Sequence, residues 1–244
     1  MSRTLRLVTY NIHKGIGGTD RRYRLERTIE TLRHCQPDIA LLQEVDDDVP
    51  RSRRDVQVDL LAEAVGLPHR AFQRNVHLKH GHYGNAVLSR FPLTGVEDID
   101  LTIRPKKRRR ALVVRCRLAV GQRTRSLLVV NVHLGLSSIE RQLQLRRLLK
   151  KHPLANASWR LPMVIGGDYN DAMGNLGKRI MVPRGFSSVG RKIHTFPAVL
   201  PVRSLDRIFY RGPLELQHAY ASRTQLARQA SDHLPLVAEF ELHA

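Results

Sequence analysis

Apolar positions along this chain fall into short runs with two different periods. Leu5-Arg-Leu-Val-Thr-Tyr-Asn11 alternates and is rich in β-formers, which predicts a strand ending on Asn11. Leu25, Ile29 and Leu32 recur at spacings of four and three, which predicts an amphipathic helix over Arg21–Gln36 closed by Pro37. Asp38–Glu44 is an apolar run of the buried-strand kind with an acid at its end. A helix over Asp55–Val65 follows, stopped by Gly66 and Pro68. Strands are expected over Ala71–Leu78, Asn85–Phe91, Ala111–Val120 and Ser126–His133, with Gly81–Gly84 a turn and Gly121 marking a hairpin. Ser137 or Ser138 can cap a helix to about Lys151, with Ile139, Leu143, Leu145, Leu148 and Leu149 as its apolar positions.

The stretch Pro162-Met-Val-Ile-Gly-Gly-Asp168-Tyr-Asn170-Asp171 then predicts a short buried strand whose glycine pair lets the backbone turn sharply and approach a ligand closely. If the backbone stays extended past the turn, Asp168 and Asn170 point to one side. A carboxylate beside a carboxamide suits water activation next to binding of an anionic oxygen. A plain turn is the alternative, because Asp and Asn bond their own backbone. Residues Met173–Val202 read as long loops around one short element, and Leu205–Tyr210, Leu214–Tyr220 and Leu234–Leu242 as the last strands. Strands outnumber helices by about two to one in mixed order. That favours an α/β sandwich, two packed sheets with helices outside, over a doubly wound nucleotide-binding fold.

Composition changes this picture in one respect. Forty-one Lys plus Arg against 22 Asp plus Glu leave a net charge of +19 in 244 residues. Such an excess attracts polyanions: nucleic acid, anionic lipid surfaces or phosphorylated substrates. Its densest run is Pro105-Lys-Lys-Arg-Arg-Arg110, which could contact phosphates or be a solvated loop. Cys35 and Cys116 lie far apart and form neither a disulfide framework nor a metal knuckle, so reduced, buried thiols are expected. The N-terminus enters its strand with no apolar core or cleavage site, and no apolar run approaches the ~18 residues needed to span a bilayer. The expectation is a cytoplasmic protein, with peripheral attachment to the inner membrane surface left open.

Polar residues recur where apolar strands end: Asn11, Glu44, His133, and Asp168 with Asn170. Asp206 opens one strand, and Asp232 with His233 precede the last. Each alone has a structural explanation, as a turn cap, a salt-bridge partner or a satisfied core histidine. Together they match a chemistry. Mg²⁺ takes oxygen ligands, which Glu44, Asp232 and the amide of Asn11 provide. Phosphoester hydrolysis needs a base for water and hydrogen-bonding or positive groups around the phosphoryl oxygens, and Asp168, Asn170, His133 and His233 are of those types. Asp206 could orient His233 and favour its charged form.

Asn11, Leu42-Gln-Glu44-Val, Tyr83-Gly-Asn-Ala-Val-Leu-Ser-Arg90, Asn131-Val-His133, Gly167-Asp168-Tyr-Asn170, Leu205-Asp206-Arg-Ile and Ser231-Asp232-His233-Leu-Pro resemble, in order, the motifs of the endonuclease/exonuclease/phosphatase superfamily. The group includes pancreatic deoxyribonuclease, abasic-site endonucleases, inositol polyphosphate 5-phosphatases and neutral sphingomyelinases. The resemblance spans residues 5–242 and implies a four-layer α/β sandwich, a single domain over residues 1–244, and a Mg²⁺-dependent phosphodiesterase or phosphatase, with Mn²⁺ an alternative ion. It implies Glu44 as principal metal ligand, helped by Asn11 and Asp232, and Asp168 positioning or deprotonating the water. Asn170 would bind phosphate, His133 and His233 would stabilise the pentacoordinate transition state, and Asp206 would orient His233. More narrowly, Asn11-Ile-His-Lys-Gly15, His133-Leu-Gly-Leu136 and Thr195-Phe-Pro197 look like a small bacterial branch. Where abasic-site enzymes carry an acid two residues after the first Asn, this chain has His13, which could face the phosphate instead. His13, Asn85 of the fourth-strand motif and Arg108 of the basic run are the substrate-binding candidates. A nuclease acting on DNA or RNA is ranked first, then a phosphodiesterase or phosphatase for lipid headgroups or small phosphoesters. A catalytically silent nucleic-acid-binding module ranks last, because the acids are intact. No protein partner is expected.

Overall fold

In the computed structural model, which describes residues 2–190 and 192–243, the strands assemble into two mixed six-stranded sheets. The first runs β11-β12-β1-β2-β4-β3, built from β1 (Ser2–Asn11), β2 (Ile39–Asp47), β3 (His69–His77), β4 (His82–Ser89), β11 (Leu214–Ala221) and β12 (Leu236–His243). The second runs β5-β6-β7-β8-β10-β9, from β5 (Leu93–Asp100), β6 (Arg110–Val120), β7 (Arg123–His133), β8 (Met163–Asp168), β9 (Ser187–Ser188) and β10 (Asp206–Arg211).

Alternation sorts the apolar residues into layers. Leu5, Leu7, Ile39 and Leu41 of the first sheet meet Leu112, Val114, Val129 and Ile208 of the second in the central core. The opposite set, Val8, Tyr10, Ala40 and Leu42, packs under α1 (Leu25–Cys35) and α2 (Gln57–Val65). Val113, Val130 and Ile165 pack under α3 (Ser138–Leu149) and the segment after it. The result is the expected four-layer sandwich. Cys35 and Cys116 are buried free thiols.

Several local expectations change. Gly81–Gly84 is not simply a turn: β4 begins at His82, and Gly84 presses so closely on the Gln73 carbonyl that a Cβ would lie 1.7 Å from it. Gly166 and Gly167 do not turn the chain either. They lie inside β8, where a Cβ on Gly167 would meet the Val132 carbonyl at 1.9 Å, so the glycines permit close strand approach. Ser137 caps α3 by accepting from the Glu140 amide at 3.2 Å, but Ile139 and Leu143 face outward, 73% and 43% exposed. Residues Met173–Val202 hold a π turn over Gly177–Met181, a 3-10 turn and β9 rather than one short element. A six-residue helix, α4 (Gln225–Ala230), capped by Thr224, is too short to leave an apolar period in the sequence.

Candidate active site

Register in the second sheet lines up three of the candidate residues. His133 pairs with Asp168 across the parallel β7–β8 ladder, and Asp168 with Asp206 across the antiparallel β8–β10 ladder. The three side chains therefore stand side by side at one end of the sheet. Asp206 Oδ2 accepts from His233 Nδ1 at 2.8 Å and from Thr195 Oγ1 at 2.6 Å, and the Phe196 ring packs against the imidazole at 4.9 Å. His233 Nε2 and His133 Nε2 approach Asp168 Oδ2 at 3.8 and 3.6 Å. Asp168 also accepts from Asn11 Nδ2 at 3.1 Å and from the Asn170 backbone amide at 2.9 Å. The backbone does not stay extended past Asp168. Asn170 takes a positive φ of 51°, closing a turn, and its carboxamide donates to the Leu134 carbonyl at 3.0 Å while still lining the cleft. The turn is present and the extended backbone is not, yet both polar side chains line the cleft.

The first sheet contributes the other wall. Asn11 ends β1, and its Oδ1 accepts from the His13 amide at 3.1 Å. Glu44 sits where β2 slips register between Leu42 and Val45, with a positive φ of 60° that re-aims its carboxylate. Lys14 donates to Glu44 Oε2. Beneath the site a polar latch joins the sheets: buried Asn131 donates to the Leu42 and Ala86 carbonyls, both at 2.8 Å, and accepts from Gln43 Nε2 at 2.8 Å.

Burial and charge set the protonation states. Burial pushes the His233 imidazole down, but the carboxylates of Asp206 and Asp168 outweigh it and lift it to about 10. Burial and the positive charge of Arg109 press His133 down to about 4. Burial lifts Asp168 above the usual carboxylate range, against the opposing pull of His233 and His133. Burial would lift Glu44 as well, yet His133, Lys14 and His13 outweigh it and hold the group near 2. Near neutral pH the site thus presents a charged His233, a neutral His133 and an ionised Glu44.

These groups open onto a cleft of 890 Å³. Its wall includes Asn11, Glu44, His133, Asp168, Asn170, Asp232, His233 and Arg108. Asp206 lies behind His233, off the wall, as an orienting residue would. His13 is also off the wall: its Nδ1 lies 2.9 Å from the Ile16 carbonyl oxygen and 3.9 Å from Asp232. Asn85 is fully buried, donating to Gln73 Oε1 at 3.2 Å and the Arg110 carbonyl at 3.3 Å, so it buttresses the basic loop from behind rather than reaching the cleft. Sequence reasoning did not single out Lys14, Arg51 or Tyr83, which line the cleft, or Thr195, which buttresses Asp206. Lys14 inside the Asn11–Gly15 motif, Tyr83 at the head of its strand motif and Thr195 in Thr195-Phe-Pro197 were the available signals.

Residues 8–233 match the model of the Endonuclease/Exonuclease/phosphatase family, and the chain belongs to that family. It is 31% identical over 253 residues to the uncharacterized protein YbhP of Escherichia coli K12, covering 98% of this chain and 97% of that one. Its fold resembles the endonuclease/exonuclease/phosphatase of Beutenbergia cavernae DSM 12333, with a TM-score of 0.81 at 24% identity over 99% of this chain and 72% of that one. It also resembles ANGEL2, a 2′,3′-cyclic phosphatase, with a TM-score of 0.74 at 18% identity over 100% of this chain and 97% of that one. Members of the family are hydrolases of phosphoester bonds and generally depend on a divalent metal.

The residues present fit such an ion. Glu44 is held ionised, Asp232 is a carboxylate about one-third exposed, and Asn11 Oδ1 keeps a lone pair beside the one used by His13. That hard-oxygen set suits Mg²⁺ or Mn²⁺. Among the described residues, three His, Cys, Asp or Glu ligand atoms converge within 4.8 Å at Glu215, Glu241 and His243, none of which lines the cleft. The candidate centre is instead the two carboxylates and the amide on the cleft wall, which would hold the ion. No helix among the described residues is long and apolar enough to cross a membrane.

Proposed function

We propose that the chain is a Mg²⁺- or Mn²⁺-dependent phosphodiesterase acting on nucleic acid, DNA or RNA. The observation that carries the substrate class is that Lys107, Arg108 and Arg109 line the same cleft as Asp168 and His233, so the densest basic run is at the candidate site. Cations there would neutralise consecutive phosphates of a strand.

Glu44, Asp232 and Asn11 would hold the ion, whose contribution is Lewis-acid polarisation of the phosphoryl oxygens and of bound water. Asp168, fixed by the Asn11 and Asn170 donors and lifted above the usual carboxylate range, is the base for the attacking water. His233 commits Nδ1 to Asp206 and so presents Nε2–H, with a full positive charge, to a phosphoryl oxygen. His133, neutral, donates or accepts a hydrogen bond there, and the free N–H of Asn170 contributes another. Nicking of supercoiled plasmid in Mg²⁺ at low salt tests the reading, with Asp168→Ala and His233→Ala alongside. Activity in wild type that chelator abolishes and each variant lowers by at least ~10²-fold supports it. Wild-type rates in either variant remove the proposed site.

A second reading has its own observation. Leu136 on the cleft wall is 76% exposed. Leu200, two residues beyond Ala198, which donates to the Asp232 carbonyl, is 70% exposed, and Met173, after Asn170-Asp171, is 83% exposed. An exposed apolar side chain on the basic wall suits a phosphodiester carrying an apolar group, such as a phospholipid at an anionic membrane surface. Metal-dependent release of headgroup from phospholipid vesicles, with no plasmid nicking, is the outcome that selects it.

A further inference from the structure

The candidate metal seat already holds a cation that belongs to the chain. Lys14 and Glu44 are each only about one-sixth exposed in their side chains, at 18% and 16%, and the Lys14 ammonium donates to Glu44 Oε2. The contact is built in rather than incidental. Lys14 has a positive φ of 64° and Glu44 one of 60°, conformations a non-glycine residue holds only when its surroundings fix them. The fixing group is buried Gln57, whose Nε2 donates to the Lys14 carbonyl at 2.8 Å and whose Oε1 accepts from the Asp46 amide at 2.8 Å. One side chain thus clamps the Lys14 turn to the strand beyond the Glu44 bulge. Gly15 lets the turn pass: a Cβ there would meet the Tyr23 ring at 2.9 Å.

Resting on the metal-dependent reading above, we propose that Lys14 is an internal competitor for the divalent cation at Glu44. A carboxylate that is largely removed from water needs a positive partner. Without metal, Lys14 supplies it. When a divalent ion binds Glu44, the two positive charges cannot share the carboxylate at short range, and the lysine side chain leaves for the cleft that it also lines. Metal affinity is therefore lower than the oxygen ligands alone would give, and the metal-free chain is spared an uncompensated carboxylate.

Calorimetric titration of the full chain with Mn²⁺ tests this without reference to turnover, using wild type, Lys14→Met, Lys14→Gln, Lys14→Arg and Glu44→Gln. Lys14→Met and Lys14→Gln are expected to bind Mn²⁺ at least ~10-fold more tightly than wild type, equivalent to ~1.4 kcal/mol, with Lys14→Arg close to wild type. In chelator the two neutral variants melt lower than wild type, and saturating Mn²⁺ raises their melting temperature by more than it raises that of wild type. Equal or weaker Mn²⁺ binding in both neutral variants, with binding lost in Glu44→Gln, overturns the role of Lys14 and leaves the metal seat standing. Binding that survives unchanged in Glu44→Gln overturns both, because the ion is then held elsewhere.

Discussion

Replacing Asp206 by Asn keeps the side chain's shape and removes its charge from behind His233. In the wild type, Asp206 Oδ2 accepts from both His233 Nδ1 and Thr195 Oγ1, inside a fully buried pocket. Burial alone would push His233 down, and Asp206 with Asp168 lift it from 6.5 to about 10. At ~1.36 kcal/mol per tenfold in proton affinity, that displacement is worth roughly 5 kcal/mol in favour of the imidazolium, shared between the two carboxylates. The substitution should therefore cost about 3 kcal/mol of stability at pH 6, within the range for breaking a buried ion pair. The sign with pH follows from the direction of the shift. A folded-state pKa above the unfolded one gives stability that is full below about pH 6.5 and lost as pH rises through about 10. The wild-type advantage over Asp206→Asn should shrink steadily across that window. Chemical denaturation in chelator at pH 6, 7.5, 9 and 10 measures it, and turnover with Mg²⁺ should fall by ~10²-fold or more at pH 7. An advantage that is constant with pH, or a variant as stable as wild type at pH 6, would refute the assignment of His233 as a charged group held by Asp206.

Two further outcomes test how the framework holds the site. Asn131→Leu strands Gln43 and two backbone carbonyls between the sheets, and should lower stability by about 2–4 kcal/mol in denaturant melts, a loss that Gln43→Leu in the same chain partly recovers. Gly167→Ala forces a Cβ against the Val132 carbonyl and should cost at least ~2 kcal/mol while cutting turnover, because the parallel β7–β8 register sets His133 beside Asp168; a stable, fully active variant would show that the register is not needed.

Much of the fold was legible because period-two and period-four patterns survive burial. Leu5–Asn11 and Ser126–His133 lie within observed strands, and Leu25–Leu32 lies on an observed helix. Illegible parts depended on partners that the chain meets only in three dimensions. A helical spacing of apolar residues does not say which turns will be covered, so Ile139 and Leu143 read as core and stand exposed, while Leu145 and Leu148 are buried. Glycine signals either a turn or a close approach, and only the neighbouring β7 carbonyl decides that Gly167 is the second. For the site, polar residues at strand ends were visible in the sequence. Asn85 was misplaced because a polar residue inside a strand motif can face inward to a buried acceptor, as it does to Gln73 and the Arg110 carbonyl. Lys14 was passed over because nothing in the sequence shows that buried Gln57 fixes its backbone beside Glu44.

The two histidines show why residue type alone does not fix a role. Both are buried and both lie within 4 Å of the same Asp168 oxygen. Burial disfavours charge on each, so what separates them is the next neighbour. His233 has a second carboxylate, Asp206, on its far nitrogen, and is held positive. His133 also feels Glu44, but burial and the positive charge of Arg109 outweigh both carboxylates and hold it neutral. One cation and one neutral donor-acceptor therefore flank a single carboxylate whose own proton affinity is raised by burial. Two like cations there would pull Asp168 down further, and two neutral imidazoles would remove the opposing pull of a charged ring on it. The basic run enters this balance directly: Arg109 lines the cleft and, together with burial, holds His133 uncharged, which ties the basic wall to the protonation of the candidate catalytic groups.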